Sequence, residues 1–323
     1  MSKPFIYITR KLPQSVVEPF ESNYTIEMWP EEEKPVEREV LLEKAQQADA
    51  LVTMLSDRID SEIFEQQTNL KVIANLAVGY DNIDLGAAED ANVIVTNTPD
   101  VLTDTTADLT FGLLLSTARR LMEAERYVKN NAWENWAPLL MAGQDVHHKT
   151  IGIVGMGRIG EAVAKRATGF EMEILYHNRN RKIEAEEKLA ATYVGFEELL
   201  ERSDFVVCLA PLTEETRGIF NKDAFERMKD SAIFVNASRG ALVDEGALYE
   251  AIEQHVIAGA GLDVFQNEPI SSDHPLLRFD QVVATPHIGS ASEETRKTMM
   301  TLCLENIQRV MNEEEAKTPV TRV

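Results

Sequence analysis

Apolar residues fall into two rhythms along this chain. Short runs with β-branched and aromatic residues, at 5–9, 24–28, 50–54, 72–75 and 93–96, alternate with stretches at helical spacing, a charged one at 37–47 and another beginning at Ser61. That alternation predicts a parallel sheet with helices on its faces. It resumes later with strands at 151–154, 171–176, 205–209, 232–236, 258–262 and 282–284, enough for a second, doubly wound sheet. Between the two sets, Asn97-Thr98-Pro99 punctuates the chain and a long helix begins near Thr103, with Leu109, Leu113, Leu114 and Ala118 on one face. So apolar a face needs cover, which predicts a partner surface for the other domain or for a second subunit. A last helix at 292–311 has no place in the second sheet by pattern alone, and the acidic Glu313, Glu314 and Glu315 end it.

One junction carries a ligand signal. The strand at 151–154 breaks into Gly155, Gly157 and Gly160, after which Ile159, Ala162, Val163 and Ala167 recur at helical spacing. Strand, glycine turn and helix in this order form a dinucleotide fingerprint: Gly155 permits the tight turn, Gly157 lets the backbone approach a pyrophosphate, and Gly160 lets the helix pack closely on the strand. The phosphates would sit on the helix N-terminus. A glycine turn without a ligand would also satisfy the bare pattern; the strand before it and the amphipathic helix after it favour the nucleotide.

The end of the next strand bears on which nucleotide. NAD-preferring folds place an acid there for the ribose hydroxyls, whereas this chain has His177, Asn178, Arg179, Asn180, Arg181 and Lys182. Glu173 falls inside the strand rather than at its tip. Three cations and two Asn side chains fit a 2′-phosphate, so NADP(H) is expected over NAD(H), with NAD(H) still open. A solvated basic loop on an acidic protein is the competing reading.

Composition narrows the class. At 323 residues the chain has room for two domains, and its 44% apolar and 27% charged residues are ordinary for a soluble protein. The net charge of -22 argues against nucleic acid or an anionic membrane as partner. No apolar run approaches a membrane span and no signal-peptide core precedes the first strand, so a cytoplasmic protein is expected. Cys208 and Cys303 lie in apolar patterns and read as buried, reduced core residues; neither a disulfide nor a metal site is expected. The segment 133–148, with Trp133, Trp136, Pro138, Leu139, Leu140 and Met141, is dense in apolar side chains for a loop and suggests docking, most simply on a symmetry mate.

Against an acidic background, cations near strand ends gain interest. Arg239, Glu268 and His287 each follow a predicted strand, on the edge where open α/β sheets bind ligands. Arg can hold a carboxylate in fork geometry, and a His beside a carboxylate can deliver a proton near neutral pH. A 2-keto acid needs those parts together with a hydride donor. Two further strand ends, Met54-Leu55-Ser56 and Ala77-Val78-Gly79-Tyr80, occupy comparable positions, although Gly79 equally suits a plain turn.

These residues resemble the D-isomer-specific 2-hydroxyacid dehydrogenase family over nearly the whole chain. The likeness rests on LAVGYDNID at 76–84, TTADLTFGLLL at 105–115, GMGRIG at 155–160, VNASRGALVDEGAL at 235–248, GLDVFQNEP at 261–269 and TPHIGS at 285–290. The resemblance implies an α/β fold of two doubly wound parallel-sheet domains, a Rossmann cofactor domain at 100–291 inserted into a flavodoxin-like substrate domain at 1–99 and 292–323. It implies a catalytic Arg239, a Glu268 paired to His287, and His287 as the acid/base. It places the substrate at Leu55 and the backbone amides of Val78 and Gly79, and the cofactor at Thr106, Arg158, Ile159, Pro211, Thr216, Ala237, Asp263 and Gly289. It also implies a homodimer, with the helix after Pro99 in the interface.

Within the family the chain is most similar to the glyoxylate/hydroxypyruvate reductases and the related 2-ketogluconate reductases. Trp133-x-x-Trp136 with Pro138-Leu139 resembles the loop which in that branch covers the partner's substrate, and the turn at 179–182 resembles its NADPH-type pocket. Reduction of a small 2-keto acid such as glyoxylate or hydroxypyruvate is therefore expected. 2-Ketogluconate would need a roomier site around Leu55, Trp136 and Met141. A dinucleotide-sensing binding protein, like the corepressors built on this fold, is the alternative of another class.

Overall fold

A computed structural model describes residues 3–66 and 69–321. The chain divides into two compact units, Met1–Leu102 with Ala291–Val323, and Thr103–Ser290.

In the first unit β1 (Phe5–Ile8), α1 (Gln14–Glu21), β2 (Thr25–Met28), α2 (Arg38–Gln47), β3 (Ala50–Thr53), α3 (Ser61–Gln66), β4 (Val72–Asn75), α4 (Leu85–Asp90) and β5 (Ile94–Thr96) follow one another. The strands pair in parallel in the order β2-β1-β3-β4-β5, the flavodoxin-like arrangement. β3 and β4 are buried on both faces, which is why ALVT and VIAN read as continuous apolar runs rather than alternating ones.

The second unit opens with α5 (Thr103–Ala118) and α6 (Leu121–Lys129) and continues through β6 (Thr150–Val154), α7 (Arg158–Thr168), β7 (Glu173–His177), α8 (Ile183–Leu189), β8 (Thr192–Tyr193), α9 (Phe196–Arg202), β9 (Phe205–Cys208), α10 (Lys222–Glu226), β10 (Ile233–Asn236), α11 (Glu245–Glu253), β11 (Gly259–Leu262) and β12 (Val282–Ala284). Its seven strands run β12-β11-β10-β9-β6-β7-β8, all parallel. Chain order reverses between β6 and β9, which makes the C-terminal ends of these two strands the switch point where a ligand crevice opens. The edge strand β8, two residues long, is too short to leave a pattern in the sequence.

The last helix, α12 (Glu293–Met311), starts at Ser292, whose hydroxyl accepts from the Thr295 amide at 3.2 Å, and packs on β3, β4 and α1 of the first unit. The apolar face of α5 departs from expectation. Leu113, Leu114 and Ala118 are buried against the second unit's own β10, β11 and α7, so their cover needs no partner. Cys208 in β9 and Cys303 in α12 are both buried, and burial pushes the Cys208 thiol up to about 12. No helix among the described residues is long and apolar enough to cross a membrane.

Candidate active site

The glycine turn is shaped by three different constraints. Gly155 sits at φ +103°, and a Cβ there would come within 2.4 Å of the Ala210 amide nitrogen in the loop after β9. At Gly160 a Cβ would meet the Gly155 carbonyl oxygen at 2.3 Å, so α7 can approach β6 only because that position is bare. The Cβ direction of Gly157, the N-cap of α7, faces open space. Anionic phosphate can therefore reach the backbone there and the first-turn amides of Arg158 and Ile159, and the turn fits a dinucleotide.

Facing it across the switch point, the loop after β9 is closed on itself. Thr216 Oγ1 donates to the Pro211 carbonyl at 2.7 Å and accepts from the Thr213 amide at 2.8 Å. Ser238 Oγ, beside Ala237 at the end of β10, donates to the Ala210 carbonyl at 2.5 Å and ties that loop to the next.

The basic turn after β7 differs from the sequence expectation in one respect. Arg181 is exposed yet already paired: its Nε and Nη2 both donate to Glu186, each at 2.7 Å, and Tyr176 donates its hydroxyl to the same carboxylate at 2.6 Å. The Arg181 and Tyr176 hydrogen bonds hold the Glu186 carboxyl down to about 2. Asn178 turns its side-chain amide onto the Asn180 carbonyl at 3.1 Å, and Arg179 helps to lower the Glu215 carboxyl.

At the ends of β10, β11 and β12 the polar groups expected to carry chemistry are built as one block. Asn236 Nδ2 donates to the Arg239 carbonyl at 2.9 Å and Arg239 Nη1 donates to the Ser238 carbonyl at 2.9 Å. A Cβ on the next residue, Gly240, would fall 1.9 Å from the Phe265 carbonyl carbon, so the Arg239 segment lies directly on the loop that carries Glu268. Glu268 Oε1 accepts from the Phe265 amide at 2.9 Å and Oε2 lies 2.7 Å from His287 Nδ1. Burial pushes the Glu268 carboxyl up, but the hydrogen bond and charge of His287, the Phe265 amide and the Arg239 charge together hold it below the usual carboxylate range.

His287 adopts φ +54°, a left-handed conformation that costs a non-glycine residue roughly 1 kcal/mol or more. Asp263 overdetermines it. The His287 amide donates to the Asp263 carbonyl at 2.9 Å, while the buried Asp263 carboxylate accepts from Thr285 Oγ1 at 2.6 Å and from the amides of Ile288 and Gly289 at 2.8 Å each. A Cβ on Gly289 would touch both Asp263 and the Thr106 methyl at 3.3 Å, which gathers Thr106, Asp263 and Gly289 at one point. Burial raises the Asp263 carboxyl despite those bonds.

In the first unit Leu55 is half-buried and belongs to a cavity of about 370 Å³ that Asp57, Arg58, Asn82 and Asp84 also line. Buried Asp57 fixes that turn: it accepts from Thr9 Oγ1, from the Met54 amide at 2.8 Å and from Arg10 at 3.3 Å. Val78 and Gly79 follow β4, and their segment is held by its carbonyls. Those of Ala77, Val78, Gly79 and Tyr80 accept in turn from the Thr98 amide, Asn97 Nδ2, Asn75 Nδ2 and the Ile83 amide, at 2.8–3.0 Å. Among the described residues the amides of Val78 and Gly79 donate to no protein group, which leaves them to an external acceptor. Asn75 and Asp57 carry no signal in the sequence pattern, Asn82 enters it only inside LAVGYDNID, and Asn97 reads there only as punctuation. Trp136 stays 75% exposed. No cluster of three metal-ligating side chains occurs among the described residues.

Comparison with known proteins agrees with this architecture. Residues 111–289 match the model of the D-isomer specific 2-hydroxyacid dehydrogenase NAD binding domain. A glyoxylate reductase from Thermococcus onnurineus (strain NA1) is 49% identical, over 99% of this chain and 96% of that protein. The crystal structure of the TT0316 protein from Thermus thermophilus superposes with a TM-score of 0.92 at 41% identity, covering 98% of this chain and 100% of that one. An NADPH-dependent glyoxylate/hydroxypyruvate reductase from Sinorhizobium meliloti, solved with NADP and malonate, gives 0.83 at 33% identity, over 99% and 97% of the two chains. Matched in sequence and in fold over nearly its full length, the chain belongs to the family of D-isomer specific 2-hydroxyacid dehydrogenases.

Proposed function

We propose that this protein reduces glyoxylate to glycolate, and hydroxypyruvate beside it to the D-2-hydroxy acid, with NADPH preferred over NADH. The observation that carries the reading is the His287–Glu268 pair at 2.7 Å, on the same strand-end edge as the Gly155–Gly160 turn. Because Glu268 is held ionised and can only accept, Nδ1 carries the hydrogen of that bond. Nε2 is then the ring nitrogen left for the substrate, and the protonated ring delivers its proton from there to the carbonyl oxygen while the carboxylate stabilises the charged imidazole. A dinucleotide held by its phosphates at the glycine turn would supply the hydride from its reduced nicotinamide. Arg239 and the amides of Val78 and Gly79 hold the substrate carboxylate, with Leu55 beside it. Residues 1–99 and 292–323 act as the substrate domain and 100–291 as the cofactor domain.

Two supports concern the finer points. The NADPH preference is supported by the cations of the turn at 179–182 and by the lack of an acid at the tip of β7; the Sinorhizobium meliloti relative is NADPH-dependent. A homodimer is supported by the apolar surface of α6 and the loop after it, where Val128 is 54%, Trp133 59% and Leu139 81% exposed. Trp136 on that loop would then contribute to the partner's substrate site.

The test is steady-state turnover of glyoxylate, hydroxypyruvate and 2-ketogluconate with each cofactor. Highest kcat/KM on glyoxylate with NADPH is expected. A higher value on 2-ketogluconate would change the substrate, and nucleotide binding without turnover of any acid would make the protein a sensor instead.

A further inference from the structure

The segment at 77–80 is an amide cradle whose shape is set from behind. Each of its four carbonyls is engaged by the protein, and two of those donors are side chains: Asn97 Nδ2 on Val78 at 2.8 Å and Asn75 Nδ2 on Gly79 at 2.9 Å. A peptide plane turned by its carbonyl turns the next amide with it, so fixing the carbonyls of Ala77, Val78 and Gly79 aims the amides of Val78, Gly79 and Tyr80. Convergent backbone amides of this kind bind anions.

We infer that Asn97 is a positioning residue for substrate-carboxylate recognition, and that the C-terminal segment of the chain holds it in place. Asn97 lies just past β5 and has no reason of its own to point at residue 78. What orients it is a bond from the far end of the sequence: Thr318 Oγ1 donates to the Asn97 carbonyl at 2.7 Å, and the Asn97 amide donates to the Thr318 carbonyl at 3.3 Å. Thr318 is itself clamped by Asn306 of α12, fully buried, whose Nδ2 donates to the Thr318 hydroxyl at 2.8 Å and whose Oδ1 accepts from the Thr318 amide at 3.1 Å. Val320 completes the strap by donating its amide to the Val95 carbonyl at 2.8 Å. A chain of hydrogen bonds thus runs from Asn306 through Thr318 and Asn97 to the Val78 carbonyl. Asn75 is tied to the end of the neighbouring strand β3, accepting from Thr53 Oγ1 at 3.1 Å, and supplies the second, independent anchor at Gly79.

This inference rests on the assignment of the Val78 and Gly79 amides to the carboxylate. Its test compares glyoxylate with its methyl ester, which keeps the carbonyl and removes the charge. Asn97→Ala is expected to raise KM for glyoxylate about three- to tenfold, the loss of one hydrogen bond, to leave KM for NADPH within about twofold, and to shrink the preference for acid over ester. Asn97→Asp, which places an acceptor against the Val78 carbonyl, should be worse than Asn97→Ala. Thr318→Val keeps the shape of the strap without its hydroxyl and should move KM for glyoxylate the same way by about twofold. Unchanged acid-to-ester preference in both Asn97→Ala and Thr318→Val overturns the inference while leaving the proposed activity intact. A wild-type enzyme that does not distinguish acid from ester overturns the carboxylate assignment itself and this inference with it.

Discussion

His287 Nδ1 and Glu268 Oε2 lie 2.7 Å apart, and the other oxygen of that carboxylate is bonded to the Phe265 amide, so the imidazole is oriented by a group that is itself immobilised. The same pair links activity to stability. Glu268 titrates below an ordinary glutamate, so it stabilises the fold at pH values above the unfolded value of about 4.3, and that contribution is lost as pH falls through the lower folded value. Glu268→Gln should therefore lower Tm at pH 7, and the gap to the wild type should close as thermal scans are taken down through pH 4. A charge-assisted hydrogen bond is worth about 1.5–3 kcal/mol, so kcat at pH 7 should fall roughly 10- to 100-fold.

Removing the proposed proton donor is a separate matter from removing its partner. His287→Ala should cost roughly 10² to 10⁴ in kcat with the nucleotide still bound, as titration of NADPH fluorescence would show. Arg239→Ala should instead raise KM for the keto acid and leave nucleotide affinity little changed. Equal loss of both ligands in Arg239→Ala would mean that the strand-end block had collapsed.

The contact between Gly240 and the Phe265 carbonyl makes a sharper structural claim. Any side chain at 240 must push the Arg239 segment off the Glu268 loop, because its Cβ would lie 1.9 Å from backbone and not from a movable side chain. Gly240→Ala should destabilise the protein by about 1–3 kcal/mol, the usual range for overpacking, and lower kcat/KM beyond what the loss of folded protein explains. Active enzyme with wild-type kinetics and Tm would show that the two loops move apart freely.

Much of this arrangement is legible without coordinates, and the exceptions share a cause. Alternating strand and helix patterns, the glycine spacing and the strand-end placement of Arg239, Glu268 and His287 are local features, each contained within a few residues. Side chains that reach across the fold leave no such trace. Asn75 and Asn97 end apolar runs and look like turn formers, yet their amides bond carbonyls 4 and 19 positions away, and Thr318 reaches Asn97 over 221 positions. The apolar face of α5 is ambiguous in sequence for a related reason, since pattern records that a face is covered but not by what. Arg181 carries the same lesson at short range, because its neutralising partner Glu186 stands one helical turn into the segment that follows the basic run.

That last pair gives the proposed cofactor choice a direct test. Arg181 is held in a two-point fork by Glu186, so binding a 2′-phosphate with Arg181 requires the phosphate to compete with a carboxylate already in place. Glu186→Gln leaves the shape and removes the charge. If Arg181 serves the 2′-phosphate, kcat/KM for NADPH relative to NADH should rise roughly two- to fivefold, the scale of an exposed ion pair, while Arg181→Ala should lower it. Arg179 acts on Glu215 only through its charge, without a fork of this kind, and Arg179→Ala should lower the NADPH ratio in either background. The decisive comparison is the double variant: when Arg181 is the group released, Glu186→Gln in an Arg181→Ala background has no further effect on the ratio. A rise that persists without Arg181 would assign the effect to the bulk charge of the carboxylate and leave Arg181 a purely structural clasp for α8.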